Sequence, residues 1–327
     1  MFAVLLIFAI GFFRGPLVFS YAWSNGSALT INQTFADYPL ISSSQGAFLA
    51  EDLLQKATRF FPQNYYASRM MGYLLSSVGQ EEAAVTTWQS IELPLDELIA
   101  WGQRAETNGS WQEAIIWYQR AALLSPKSSV PWYHMAQLYE QQTAWELALD
   151  AYHEAIARDE WADLPVLAGD AYARVALIYF SRLQPPDFER TLVTTDAAIQ
   201  QDAFQAAWSA GHVHYLRGRV LWQNGRLDEA YEAFETAVSA YADDPNAHYW
   251  LGIAHYNVGR NTAEAIIELN ASLALQPNNK WPYISLGQIY NETGDVQQAQ
   301  EAYRQALAID PTDVTIQERL SQLNIEP

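Results

Sequence analysis

The chain has 327 residues, no cysteine, and 18 Lys+Arg against 37 Asp+Glu, for a formal net charge of −19. Half of it is hydrophobic, with 12 Trp and 19 Tyr, which is too apolar and aromatic for a disordered acidic chain. The charge excludes a nucleic-acid binder, which needs a basic face toward the phosphates. Lack of cysteine excludes a disulfide scaffold, a Cys-ligated zinc site and a thiol nucleophile.

Residues 1–13 read MFAVLLIFAIGFF without a charge; Arg14 interrupts, and GPLVFSYAW runs on to Trp23. A spanning helix needs about 20 apolar residues. Residues 1–23 are therefore expected to be a membrane anchor, with Arg14 snorkelling or packed on a partner helix. Two other readings stay open. One is a secretory signal cut after Ala22, fitting small-x-small at Ser20-Tyr21-Ala22 but lacking a charged n-region. The other is the end of a longer membrane region. A buried globular helix fits less well, because nothing alternates with polar residues. Few positive charges follow the segment. That favours a membrane-anchored chain on the extracytoplasmic side of a bacterial-type envelope, with the cytoplasmic face left open. Residues 24–46, rich in Ser, Asn, Thr and Gly, read as a linker or irregular lead-in. Glycosylation-type tripeptides start at Asn25, Asn32, Asn108, Asn270 and Asn291, but such tripeptides arise often by chance.

A repeat fills the middle of the chain. Tyr283-x2-Leu286-Gly287-x2-Tyr290 is followed by Ala299-x3-Tyr303 and Pro311. The preceding units read His248-x2-Leu251-Gly252-x2-His255 with Ala265-x3-Leu269 and Pro277, and His214-x2-Arg217-Gly218-x2-Leu221 with Ala230-x3-Phe234. Trp132-x2-Met135-Ala136-x2-Tyr139 goes with Ala148-x3-Tyr152; Leu98-x2-Trp101-Gly102-x2-Ala105 goes with Ala114-x3-Tyr118 and Pro126. Ser68-x2-Met71-Gly72-x2-Leu75 goes with Ala84-x3-Trp88. Between Tyr152 and Phe234 a further unit is expected. Its first helix is Tyr172-x2-Val175-Ala176-x2-Tyr179, and its second, around Thr191 to Ile199, is degenerate. Ala50-x3-Leu54 with Pro62 reads as the second helix of an incomplete first unit.

This pattern resembles the tetratricopeptide repeat family. The resemblance covers residues from about Ala47 to Pro311 and implies an all-α, right-handed α-solenoid of about seven to eight antiparallel helix pairs. Residues 47–311 are then the array, and 312–327 a capping helix and tail. The chemistry of the residues agrees. Gly or Ala on the first helix and Ala on the second permit close approach, and large side chains fill the space between units. Gly79, Gly109, Gly225, Gly259 and Gly294 fall where first helices must stop. Pro126, Pro277 and Pro311 end second helices. Ile316, Leu320 and Leu323 form one stripe of a polar-backed last helix.

No P-loop, dinucleotide loop, HExxH or GxSxG occurs. His214, His248 and His255 fall in neighbouring units but at aromatic consensus positions, so they read as packing residues, with no metal and no cofactor expected. In the family the resemblance points to, first helices line a concave groove. Positions sharing that face are Tyr215, Arg219 and Trp222 in one unit and Tyr249, Ile253 and Tyr256 in the next, flanked by Trp250. Earlier units place Tyr133, Gln137 and Glu140, and Ile99, Gln103 and Glu106, there; the last unit places Ile284, Gln288 and Asn291. The groove is thus expected to be aromatic between about residues 212 and 257 and polar-acidic elsewhere, a surface for an extended peptide or sugar rings. Packing between neighbouring helices is the competing account of the same aromatics. The expected function is a non-enzymatic, membrane-tethered scaffold for a protein or peptide partner. The alternative is the accessory repeat region of a larger bacterial membrane glycan-assembly enzyme, for which a glycan ligand is possible.

Overall fold

A computed structural model describes residues 52, 55, 56, 59, 65–158, 168–259 and 261–323. Among the described residues there are fifteen α-helices and no strand. They form seven hairpins in chain order. The first four helices are α1 (Tyr65–Ser77), α2 (Glu81–Ser90), α3 (Leu95–Thr107) and α4 (Trp111–Leu124). Then come α5 (Val130–Gln141), α6 (Trp145–Ile156), α7 (Ala168–Ser181) and α8 (Phe188–Gln201). The last three pairs are α9 (Ala207–Gln223) with α10 (Leu227–Ala240), α11 (Pro245–Asn257) with α12 (Thr262–Leu275), and α13 (Lys280–Glu292) with α14 (Val296–Ile309). Helix α15 (Val314–Leu323) follows. The expected all-α succession of antiparallel helix pairs is therefore what the described residues form. The chain divides into two compact units, residues 1–135 and 136–327.

Within a hairpin the small residue of the first helix receives the large residue of the second. A Cβ at Gly102 would stand 2.3 Å from Cε1 of Tyr118, and one at Gly218 would stand 2.6 Å from Cε1 of Phe234. Trp88, Tyr118, Tyr152, Phe234 and Leu269 are fully buried at these receiving positions. The turns between the helices are tight. Gly109 stops α3 with φ +74°, a conformation that costs other residues steric strain. Gly79, Gly225 and Gly294 repeat this, whereas Gly259 does not.

The degenerate helix exists and is full length. Asp187 caps α8 by accepting from the Arg190 amide. Where other second helices carry Ala and an aromatic, Thr191 and Thr195 are buried. Their hydroxyls turn back to the carbonyls of Asp187 (2.7 Å) and Leu192 (2.9 Å). Polar side chains satisfied by their own helix fill an apolar position, which is why the sequence pattern fades there. At the other end, Ile316 and Leu323 of α15 are buried against Ala299, Tyr303 and Ala306. The residue directly before several helices caps them by ordinary rules: Asp244 accepts from the amides of Asn246 and Ala247 at the start of α11.

The membrane assignment does not stand. Among the described residues no helix is long and apolar enough to cross a membrane. The localisation as a membrane-anchored chain is accordingly withdrawn. Residues 1–23, on which it rested, lie outside the described residues, as do the linker 24–46 and most of the incomplete unit around Ala50 to Pro62.

Candidate partner-binding site

The sequence places its aromatic groove on the first helices α9 and α11. Side chains there do reach from one first helix to the next. The Arg219 guanidinium, on α9, lies 4.2 Å above the Trp250 ring of α11 and 5.3 Å from the Phe180 ring of α7. Its Nη1 donates to the Tyr215 hydroxyl at 2.8 Å. Arg219 Nε is buried without a hydrogen-bond partner, and no carboxylate pairs with this guanidinium among the described residues. A cation held by aromatic faces is stabilised by the ring quadrupoles, but that does not replace its lost hydrogen bonds.

The aromatics around it are continuous. Trp222 meets Trp250 edge-on at 5.7 Å, Trp250 stacks on Phe234 at 5.9 Å, and Tyr249 meets Trp250 at 5.6 Å. Burial pushes the Tyr249 phenol up. Farther along, the Tyr256 hydroxyl of α11 donates to the Glu292 carboxylate of α13. That hydrogen bond, then burial, pushes the Tyr256 phenol up to about 12.

The eight residues picked from sequence therefore fall into two sets. Tyr215 and Tyr133 are buried, at 7% and 3% exposure, and serve mainly as packing. Arg219, Trp222, Tyr249, Trp250, Ile253 and Tyr256 are half-buried. Phe180 was missed; it stands four residues after Ala176, the offset that Trp222 has from Gly218, and this spacing could have found it. The acidic groove positions are also less free than the sequence implied. Glu106 accepts from the Tyr118 hydroxyl, and Glu140 accepts from the Tyr152 hydroxyl at 2.7 Å.

The histidines have separate surroundings. His248 Nδ1 meets Glu268 Oε2 at 2.6 Å, and its Nε2 meets the Ala242 carbonyl at 2.8 Å. Two acceptors on one ring favour the imidazolium, and the Glu268 hydrogen bond pushes the pKa up. His255 Nδ1 meets the Tyr231 hydroxyl at 3.2 Å, and burial pushes His214 down. No group of three His, Cys, Asp or Glu side chains is placed to hold a metal ion among the described residues.

Comparison with known proteins agrees with this architecture. Two models of the tetratricopeptide repeat match, one over residues 215–280 and one over 282–313. No curated protein matches the chain. Among solved structures the chain is similar to pilF of Pseudomonas aeruginosa, with a TM-score of 0.53 and 18% identity, covering 70% of this chain and 97% of that one. It is also similar to a chain of the APC/C hetero-tetramer Cut9-Hcn1, with a TM-score of 0.50 and 14% identity, covering 87% of this chain and 56% of that one. At such identities the likeness is one of fold. The two matched stretches show tetratricopeptide repeats at residues 215–280 and 282–313, and the hairpins with their small-to-large packing agree with this.

Proposed function

We propose that the chain is a non-enzymatic scaffold that binds an extended protein segment along the first-helix face of α9 and α11. The array is taken as residues 47–311, closed by 312–327. The observation that carries this reading is Arg219. It is a cation held among Trp250, Phe180 and Tyr215, with Nε unpartnered and no carboxylate of its own. In a chain of net charge −19, a guanidinium left without an acid is a recognition group awaiting an acceptor. A backbone carbonyl of an extended segment supplies one, while Trp222, Tyr249 and Tyr256 offer apolar surface to its side chains. Rigid aromatics and an Arg are the residue types that dominate binding energy at protein interfaces.

The test is selection of displayed random peptides on the full chain. Wild type is expected to enrich a common pattern. The folded Trp222/Tyr249/Tyr256→Ala variant is expected to bind those peptides at least about tenfold more weakly. Equal binding by a variant with a wild-type melting curve would remove the groove as the site.

A further inference from the structure

The turn between α10 and α11 joins the two repeats that supply the proposed groove, and one histidine ties it down. His248 is the fourth residue of α11 and is 9% exposed. Its ring meets two acceptors from different elements: Glu268 Oε2 of α12 at 2.6 Å through Nδ1, and the Ala242 carbonyl of the turn at 2.8 Å through Nε2. An imidazolium has an N–H for each. A neutral imidazole has one, so either tautomer turns a nitrogen lone pair toward an acceptor oxygen. At this depth an unmatched contact costs more than a hydrogen bond exchanged for water.

The same turn carries the other ties between these repeats. Asp244 caps α11 with Oδ1 on the Asn246 and Ala247 amides, and its carbonyl accepts from the His248 amide at 3.2 Å. Its Oδ2 faces His212 Nδ1 of α9 at 3.9 Å. Beyond the turn, α9 and α11 hold Arg219 and Trp250, which meet at 4.2 Å. The placing of α11 against α9 thus passes through a turn that the charged His248 ring pins to α12. The charged groups facing His248 are Glu268 from α12 and Asp244 from the turn. The Glu268 hydrogen bond pushes its pKa up against the effect of burial, and both negative charges add to this. The other histidines here face elsewhere: His212 of α9 looks at Asp244, and His255, farther along α11, meets the Tyr231 hydroxyl of α10.

We propose that His248 is a proton-operated clamp on the α10–α11 turn, and that the groove of α9 and α11 holds its peptide tightly only while the clamp is closed. The second half rests on the groove reading above; the first does not. The folded value lies above the unfolded one, so the clamp is fully closed below the ordinary histidine range and opens as pH rises through the higher folded value.

The test uses the full chain between about pH 6 and about pH 9, with the ring nitrogens of His248 followed by NMR. In the free chain, protection of the Asn246, Ala247 and His248 amides against hydrogen exchange is expected to fall at least about fivefold as His248 loses its proton. The probe is a peptide selected from the displayed library at about pH 6, blocked at both ends and free of His and Cys. It is expected to bind at least about fivefold more weakly across the same transition. His248→Gln should remove both transitions, and His212→Gln should keep them. Glu268→Gln takes the charged partner from the ring and should move both to lower pH together with the His248 titration; it decides the matter if His248→Gln fails to fold. Protection that stays level as His248 titrates overturns the clamp. So do transitions that persist in His248→Gln, vanish in His212→Gln, or stay in place when Glu268→Gln shifts the titration. Falling protection with level affinity, for a peptide that the Trp222/Tyr249/Tyr256→Ala variant has lost, removes the coupling to the groove. A peptide bound equally by that variant removes the groove reading instead, and protection alone then decides the clamp.

Discussion

Each unit of the chain contains an aromatic cluster with arginine, and the two are finished differently. In the first, Tyr73 meets Trp88 at 5.4 Å, Trp117 at 5.9 Å and Trp101 at 6.2 Å, all edge-on. Its cations are paired: Arg69 with Glu97, and Arg120, 4.5 Å over the Trp117 ring, with Glu81 at 3.0 Å. Burial and the Glu97 hydrogen bond hold the Tyr73 phenol far above its ordinary range. In the second, Trp222, Phe234 and Trp250 pack on one another, and Arg219, 4.2 Å over the Trp250 ring, has no carboxylate among the described residues and an unpartnered Nε. Both clusters are equally aromatic. What separates the first cluster from the proposed groove is whether the polar atoms are satisfied.

The largest effects should break the closed cluster. Trp88→Ala, at full burial, should cost about 3–5 kcal/mol in urea unfolding. Half-buried Trp222→Ala should cost about 1–2 kcal/mol, with its main loss in binding. Equal costs would erase the distinction between the clusters.

Next comes the packing frame common to both. Gly252→Leu should destabilise by about 1–3 kcal/mol or more, because even a Cβ there stands 2.9 Å from Leu269 Cγ and 3.1 Å from the Ala265 carbonyl. A wild-type melting curve would show the helix register to be wrong.

Charge sharpens the contrast. Glu81→Gln leaves Arg120 with a neutral partner and should cost about 1–3 kcal/mol. Arg219→Met removes no ion pair and should change stability by about 1 kcal/mol or less. Paired denaturation curves read this directly.

The smallest effects are in pH dependence, and two histidines, His134 and His248, should differ in sign. His134 stacks on Tyr118 at 5.0 Å, and burial pushes it down from 6.5 to about 4. The unfolded chain takes the proton first, so stability is full above about 6.5 and falls as pH drops toward 4. His248 is pushed up by Glu268. Its contribution is full below its unfolded value and is lost as pH rises through the higher folded one. Melting temperatures across this range should lose the acid fall in His134→Phe and the alkaline fall in His248→Gln.

Much of the fold was legible because the repeat writes its packing into residue size. A Gly or Ala followed sixteen or seventeen residues later by a large side chain marks six hairpins in the sequence. Helix α8 was faint because Thr191 and Thr195 do an apolar job with self-satisfied hydroxyls. The site was legible by face but not by depth. Period gave Tyr215 and Tyr249 the same status, yet Tyr215 is buried under Arg219 while Tyr249 is half-buried. Nor could period show that Glu106 and Glu140 already have tyrosine donors, since those come from the partner helix. The apolar run at residues 1–23 suggested a membrane location by composition alone, and no described helix supports it.

The most direct test is fluorine NMR of the full chain labelled with fluorotryptophan, titrated with a selected peptide. The Trp222 and Trp250 signals should move, while those of Trp88 and Trp117 stay in place. A bound peptide that leaves Trp222 and Trp250 unmoved would contradict the account and place recognition elsewhere on the chain.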